Sequence, residues 1–157
     1  MTIILGVDPG LNNTGWGVVA ANGNHIKYVA CGTIHTTTKT VISERLFHIN
    51  QELIKVMALY QPDEFALEET YINKNAASSL KLGYVRGAIM LTAAQNGVNL
   101  TEYSATLVKK TVVGAGHADK DQISYMVNIL LPGAEIGSED AADALAVAIC
   151  HHSHIRR

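Results

Sequence analysis

The 157-residue sequence predicts an α/β fold: a mixed five-stranded sheet, three antiparallel strands and then alternating helices and strands, with helices on both faces. Three observations predict it. The apolar runs near the N-terminus are short and separated by turn signals. From residue 43 the apolar spacing becomes helical, interrupted by two further short apolar runs. The length suits one domain, residues 1–157, with a core of its own.

The elements follow in order. Ile3-Ile4-Leu5-Gly6-Val7 is a continuous apolar run, as expected of a strand buried on both faces. It ends at Asp8-Pro9-Gly10, so Asp8 stands at the strand's C-terminal end. Thr14 to Ala20 is a second strand. Asn22-Gly23-Asn24 turns the chain into a third, His25 to Ile34, because Asn and Gly accept positive φ. Ser43 to Tyr60 places Leu46, Ile49, Leu53, Ile54, Val56 and Met57 mostly on one helical stripe. Gln61-Pro62-Asp63 stops that helix. Glu64 to Glu68 is a fourth strand. Asn75 caps a helix from about Ala76 to Asn96, ending near Gly97. Val98 to Tyr103 is a fifth strand, and Ser104 caps a short helix. Gly114 to Gly116 is a flexible link. A helix starting at Asp119 stops at Leu131-Pro132-Gly133. Ser138 caps the last one, Glu139 to about His151, beyond which the terminal histidines are expected to fray into solvent.

Composition excludes several classes. The chain is 48% hydrophobic and 17% charged, with 13 Gly and 3 Pro, unlike a disordered or collagen-like sequence. It has no run of 18 apolar residues, so no membrane partner is expected. The N-terminus reads as a strand and not a signal peptide. Cys31 and Cys150 are too few for a disulfide framework; both are expected to be buried free thiols in a reducing cytoplasm. The net charge of −2 hides an asymmetry. Residues 71–120 carry six basic against two acidic residues, and the rest of the chain six against twelve. Lys74, Lys81, Arg86, Lys109 and Lys120 are candidate phosphate contacts; each can also be an ordinary solvated charge.

The acids carry most of the chemistry. Asp140 and Asp143 are three apart, on one helix face, in an otherwise apolar stretch (Ala141, Ala142, Ala144, Leu145). Like charges on a packed helix are unfavourable unless neutralised. The helix dipole offsets only about 0.3–1 kcal/mol per charge, whereas a divalent cation does far more. Asp8 and Glu68 close the first and fourth strands, and sites form beyond the C-terminal ends of strands in open sheets. Converging, these four acids make an all-oxygen site for Mg²⁺ or Mn²⁺. Two such ions about 3.5–4 Å apart serve in-line phosphodiester cleavage. Each acid also has a plainer reading: Asp8 as a turn residue, Glu68 and Glu69 as a charged strand exit, Asp140 as a helix-start acid.

At these residues the chain resembles the RuvC family of bacterial Holliday junction resolvases, of the ribonuclease H-like (retroviral integrase) superfamily. The resemblance rests on Ile4-Leu5-Gly6-Val7-Asp8-Pro9-Gly10, Phe65-Ala66-Leu67-Glu68 with Tyr71, Ala77 through Gly87, Val108 through Gly114, and Asp140-Ala-Ala-Asp143-Ala-Leu-Ala. It implies a ribonuclease H-like fold and a catalytic, metal-binding set of Asp8, Glu68, Asp140 and Asp143. It further implies an aromatic DNA contact at Tyr71, usually Phe in the family, and basic residues near the scissile phosphate at Lys109 and Lys120. The implied activity is symmetric nicking of two strands of like polarity in a four-way junction, leaving 5′-phosphate and 3′-hydroxyl ends. The implied partners are four-way junction DNA, a second copy in a homodimer, and the RuvA–RuvB branch-migration machinery. The sequence ends at Arg157, without the C-terminal tail that some members carry. Asp8-Pro9-Gly10 with Thr14-Gly15-Trp16-Gly17 also resembles the first phosphate loop of actin-like sugar kinases, but the second loop of those enzymes is missing. A junction-binding scaffold without catalysis would not need four acids. The apolar stretch Ala88 to Ala94 is expected in the core or a dimer interface.

Overall fold

The computed structural model describes residues 1–69 and 74–155. Its elements are β1 (Thr2–Asp8), β2 (Asn13–Asn22), β3 (His25–His35), α1 (Ile42–Tyr60), β4 (Glu64–Glu68), α2 (Ala76–Gln95), β5 (Asn99–Tyr103), α3 (Ala105–Val113), α4 (Lys120–Leu130) and α5 (Glu139–Ile155). The expected order holds throughout. The strands form one sheet in the order β3-β2-β1-β4-β5. β1–β2 and β2–β3 pair antiparallel, while β1–β4 and β4–β5 pair parallel. Each parallel pair is joined through a helix, as crossover geometry requires.

Period-two alternation divides the core between the two faces. Leu5, Val7 and Val18 point toward α1 and α2, packing with Ile49, Leu53, Val85 and Ile89. Ile4, Val19 and Ala66 point the other way, toward α3, α4 and α5. The helix starts are set locally. The Asn75 side chain accepts from Ser78 N–H, that of Ser104 from Leu107 N–H and that of Ser138 from Ala141 N–H. Asp119 and Gln122 form a reciprocal capping box at the start of α4. Gln61 ends α1 in the left-handed region at φ 47°.

α5 is the central helix. Its residues 141, 142 and 144–152 are buried, and it comes close to the sheet where three glycines face it. A Cβ on Gly15 would stand 2.0 Å from the carbonyl oxygen of Asp140, and one on Gly6 would stand 2.3 Å from that of Ala144. A Cβ on Gly17 would meet the Leu145 side chain at 2.6 Å. Gly6, with Gly15 and Gly17 of the stretch that resembles a phosphate loop, is the floor on which α5 rests.

Two expectations need correction. α5 does not fray at His151; it continues to Ile155, with His151 and His152 buried. Tertiary partners hold that end: His151 Nδ1 lies 2.8 Å from the Tyr103 hydroxyl, and His152 Nε2 lies 2.9 Å from the Gly23 carbonyl oxygen. Burial holds His151 below the usual histidine range, although Glu64 opposes the shift. Cys150 is buried as expected, but Cys31 is only half-buried, on the outermost strand. Among the described residues no helix is long and apolar enough to cross a membrane.

The close seat of α5 predicts that Gly15→Ala destabilises the protein by about 1–3 kcal/mol through overpacking. Gly137→Ala, where an added methyl meets open space, should stay within about 0.5 kcal/mol. Urea denaturation of both variants checks this; equal stabilities would show that α5 is not held by the glycine floor.

Candidate active site

β1 and β4 run parallel side by side, so Asp8 and Glu68 come off adjacent strands at the same sheet end. The glycine floor brings the first turn of α5 to that end, because Gly15, paired with Asp8 across β1–β2, is in contact with Asp140. Asp143, one turn further on, lines the same cleft as Asp8 and Glu68. All four acids are half-buried. The cleft has a volume of about 490 Å³. Its walls come from α3 (Ala105, Val108, Lys109), α4 with its cap (Asp119, Lys120, Ile123) and Ala146 of α5.

Crowded acids of like sign resist ionisation. Burial raises Asp8 well above the usual carboxylate range; a hydrogen bond to Glu68 and the charges of Glu68 and Asp140 add to the rise. Glu68 is raised by burial and by Asp143, while the hydrogen bond from Asp8 and the charges of Lys109 and Lys120 pull it down. Asp143 is raised to about 6 by burial and the charge of Asp8, against the pull of Lys120. Lys120 is raised in turn, chiefly by Asp143. Its ammonium lies 3.7 Å from Asp143 and 3.6 Å from Glu139.

The donor chemistry fits a hard divalent cation: oxygens alone, on acids whose repulsion a dication would relieve. Among the described residues no three acidic, histidine or cysteine side chains stand close enough to cage one ion. Asp8, Glu68 and Asp143 line the cleft without closing over a single point, and Asp140 stands beside it, within reach of their charges but not lining it.

The other sequence candidates divide. Lys109 and Lys120 line the cleft beside the acids. Lys74 and Lys81 are exposed and line no part of it. Arg86 has a structural use instead, because its guanidinium grips Glu102 of β5 through both Nε, at 3.0 Å, and Nη2. That pair offsets its charge. Tyr71 lies outside the described residues. Sequence reading missed Glu139 as a partner of Lys120; its only signal is its place in the acidic first turn of α5. It also missed Asp119 as a cleft residue, although the Asp-x-x-Gln box is visible in the sequence.

With the geometry in view, comparison with known proteins decides the family. The model of the family described as crossover junction endodeoxyribonuclease RuvC matches residues 4–151. The chain belongs to the RuvC family. It is 54% identical over 151 residues to the crossover junction endodeoxyribonuclease RuvC of Rhodopseudomonas palustris strain BisA53, covering 96% of this chain and 87% of the relative. It is 53% identical over 154 residues to the RuvC of Azorhizobium caulinodans, covering 98% and 91%. Among solved structures, T. thermophilus RuvC in complex with Holliday junction substrate superposes with a TM-score of 0.92 at 29% identity, covering 99% of this chain and 96% of that one. The fold is accordingly the ribonuclease H-like α/β fold of RuvC.

A carboxyl whose folded pKa lies above its unfolded value contributes stability that is present below the unfolded value and lost as pH rises through the folded one. For Asp143 that window runs from the ordinary 3.8 to about 6. In metal-free buffer Asp143→Asn should therefore stabilise the protein by about 2 kcal/mol at pH 7.5 and by almost nothing at pH 3.5. Thermal unfolding at the two pH values checks it; the same difference at both would mean that Asp143 bears no such strain.

Proposed function

We propose that this protein is a divalent-metal-dependent endonuclease that resolves four-way DNA junctions in recombination and repair, in the cytoplasm. It nicks two strands of like polarity symmetrically and leaves 5′-phosphate and 3′-hydroxyl ends. The observation that carries the reading is the meeting of Asp8, Glu68 and Asp143 with Lys109 and Lys120 in one cleft, in a chain of the RuvC family.

Asp8, Glu68, Asp140 and Asp143 are the residues that would hold the metal, two Mg²⁺ ions or Mn²⁺ in their place. When bound, such ions activate the attacking water and stabilise the leaving 3′ oxygen. The chain's own groups do the rest. Asp8, held above the usual carboxylate range by burial and by Glu68, would have to be ionised to serve as a ligand. Lys120 changes partner, from acids engaged elsewhere to a phosphate of the DNA. Lys109, the other cleft lysine, sets positive charge beside the scissile group. Lys74 and Lys81 extend the basic surface away from the cleft, and Tyr71 supplies an aromatic ring for base stacking.

The homodimer is part of the same proposal. α2 leaves Leu80, Tyr84, Met90 and Leu91 exposed, and Cβ atoms on Gly83 and Gly87 would meet nothing within 4 Å. Leu80, Tyr84, Gly87 and Leu91 share a stripe at helical spacing, which supports close approach of a second copy. Junctions for cleavage would come from the RuvA–RuvB complex.

Incubation with a labelled four-way junction or a linear duplex, in Mg²⁺ or EDTA, tests the activity: paired nicks are expected on the junction in Mg²⁺ alone. Asp8→Asn, Glu68→Gln, Asp140→Asn and Asp143→Asn should each abolish cleavage while junction binding persists; a variant that cuts at the wild-type rate removes that residue from the set. Lys109→Ala should slow cleavage and lower the salt slope of binding by about one; an unchanged slope would mean that it faces away from DNA. Leu91→Asp should shift the protein from dimer to monomer in sedimentation analysis.

A further inference from the structure

Arg45, on the first turns of α1, is 6% exposed and has no carboxylate partner among the described residues. A buried cation is costly unless its donors are met. Its acceptors come from two neighbouring segments. Nη2 donates to the Asn12 side-chain oxygen at 2.6 Å and to the Leu11 carbonyl at 3.4 Å, and Nε donates to the Thr36 hydroxyl at 2.9 Å. Thr36 closes the ring: its hydroxyl donates to the Leu11 carbonyl and its N–H to the Asn12 carbonyl at 2.9 Å.

The segment held this way, Pro9 to Asn12, is the loop that leaves β1 immediately after Asp8. Its base is pinned as well, because the hydroxyl of fully buried Thr14 donates to the Gly10 carbonyl at 2.7 Å. Asn12 and Asn13 are exposed at the loop's outer edge. The connection is therefore tied at both ends, at its tip by a charged fork from the face opposite α5. A stem of ordinary packing residues would hold a loop without burying a charge. The planar guanidinium adds direction, since its donors fix the tip in one orientation.

We propose that Arg45 is a positioning residue for strand cleavage: by clamping Leu11 and Asn12 it holds the loop after Asp8 in one placement, and with it the register of the DNA strand at the acid cluster. The inference rests on the nuclease reading above. It predicts that loss of the clamp impairs the placing of the cut more than the grip on the junction, because small misplacements are expensive in rate.

The test uses Arg45→Met, which keeps the stem and removes the fork, and Thr36→Val, which removes the bridging hydroxyl. Wild-type cleavage of the four-way junction is the control for the nuclease reading itself; its absence would sink that reading and this one together. Given wild-type cleavage, both variants are compared well below their melting temperatures in single-turnover cleavage, junction affinity and cut mapping. The expected result is a rate lower by about tenfold to a hundredfold, affinity within about threefold, and cuts spread to neighbouring phosphates, more weakly for Thr36→Val. Arg45→Lys, which keeps the charge without the fork, should restore only part of the rate. Variants that are less heat-stable yet cut the same phosphates at the wild-type rate would overturn the proposal and leave Arg45 a purely structural clamp. Should Arg45→Met fail to fold, Thr36→Val decides by the same two readouts.

Discussion

The backbone of one helix rests on the backbone of one hairpin, and the site exists because of it. Gly6, Gly15 and Gly17 offer α5 a surface without Cβ atoms, and α5 meets it largely through alanines. Interaxial or helix–sheet spacing is set by the side chains at the contact; removing them brings the helix down onto β1 and β2. The first turn of α5 thereby reaches the strand end where Asp8 stands. Had a methyl group occupied Gly15, the carbonyl of Asp140 could not lie where it does. The sheet contributes two acids through parallel register and the helix contributes two through this close seat.

That arrangement runs against the protein's own stability. Burial and mutual repulsion raise Asp8 and Asp143 above the usual carboxylate range. Lys109 and Lys120 relieve part of the strain. Strain of this kind is usual where a site is built for a ligand that carries the missing charge. The lysines suit either state: they balance the acids when those are bare and a phosphate when the acids are engaged.

Most polar groups elsewhere are handled by satisfaction, although the buried His151 Nε2 has no hydrogen-bond partner among the described residues and only the Glu64 carboxylate 3.4 Å away. His151 is buried against Tyr103 at the far reach of α5, and Arg45 is met by carbonyl, amide and hydroxyl oxygens. Arg86, a phosphate contact by sequence reading, is matched by Glu102. In each case the partner is remote in sequence: Tyr103 is 48 residues from His151, and Asn12 is 33 from Arg45. No local pattern announces such pairs.

Local physics is what the sequence determined by itself. The order of elements, the capping residues Asn75, Ser104, Asp119 and Ser138, and the strand-end position of Asp8 and Glu68 follow from short-range periodicity, turn chemistry and hydrogen bonding. The four acids were nameable because Asp140 and Asp143 stand in an otherwise apolar helix and Asp8 and Glu68 end strands. Tertiary structure alone decided the rest, for each of these outcomes depends on contact between distant segments. It turned a glycine pattern resembling a phosphate loop into the floor for α5, and it extended α5 past His151 by burying both histidines. It also brought Glu139 to Lys120, paired Arg86 with Glu102, and gave Arg45 the loop after Asp8 to hold. The physical reason is common to all of them: propensity and spacing act within a few residues, whereas burial and charge pairing depend on which distant segments the packed core presses together.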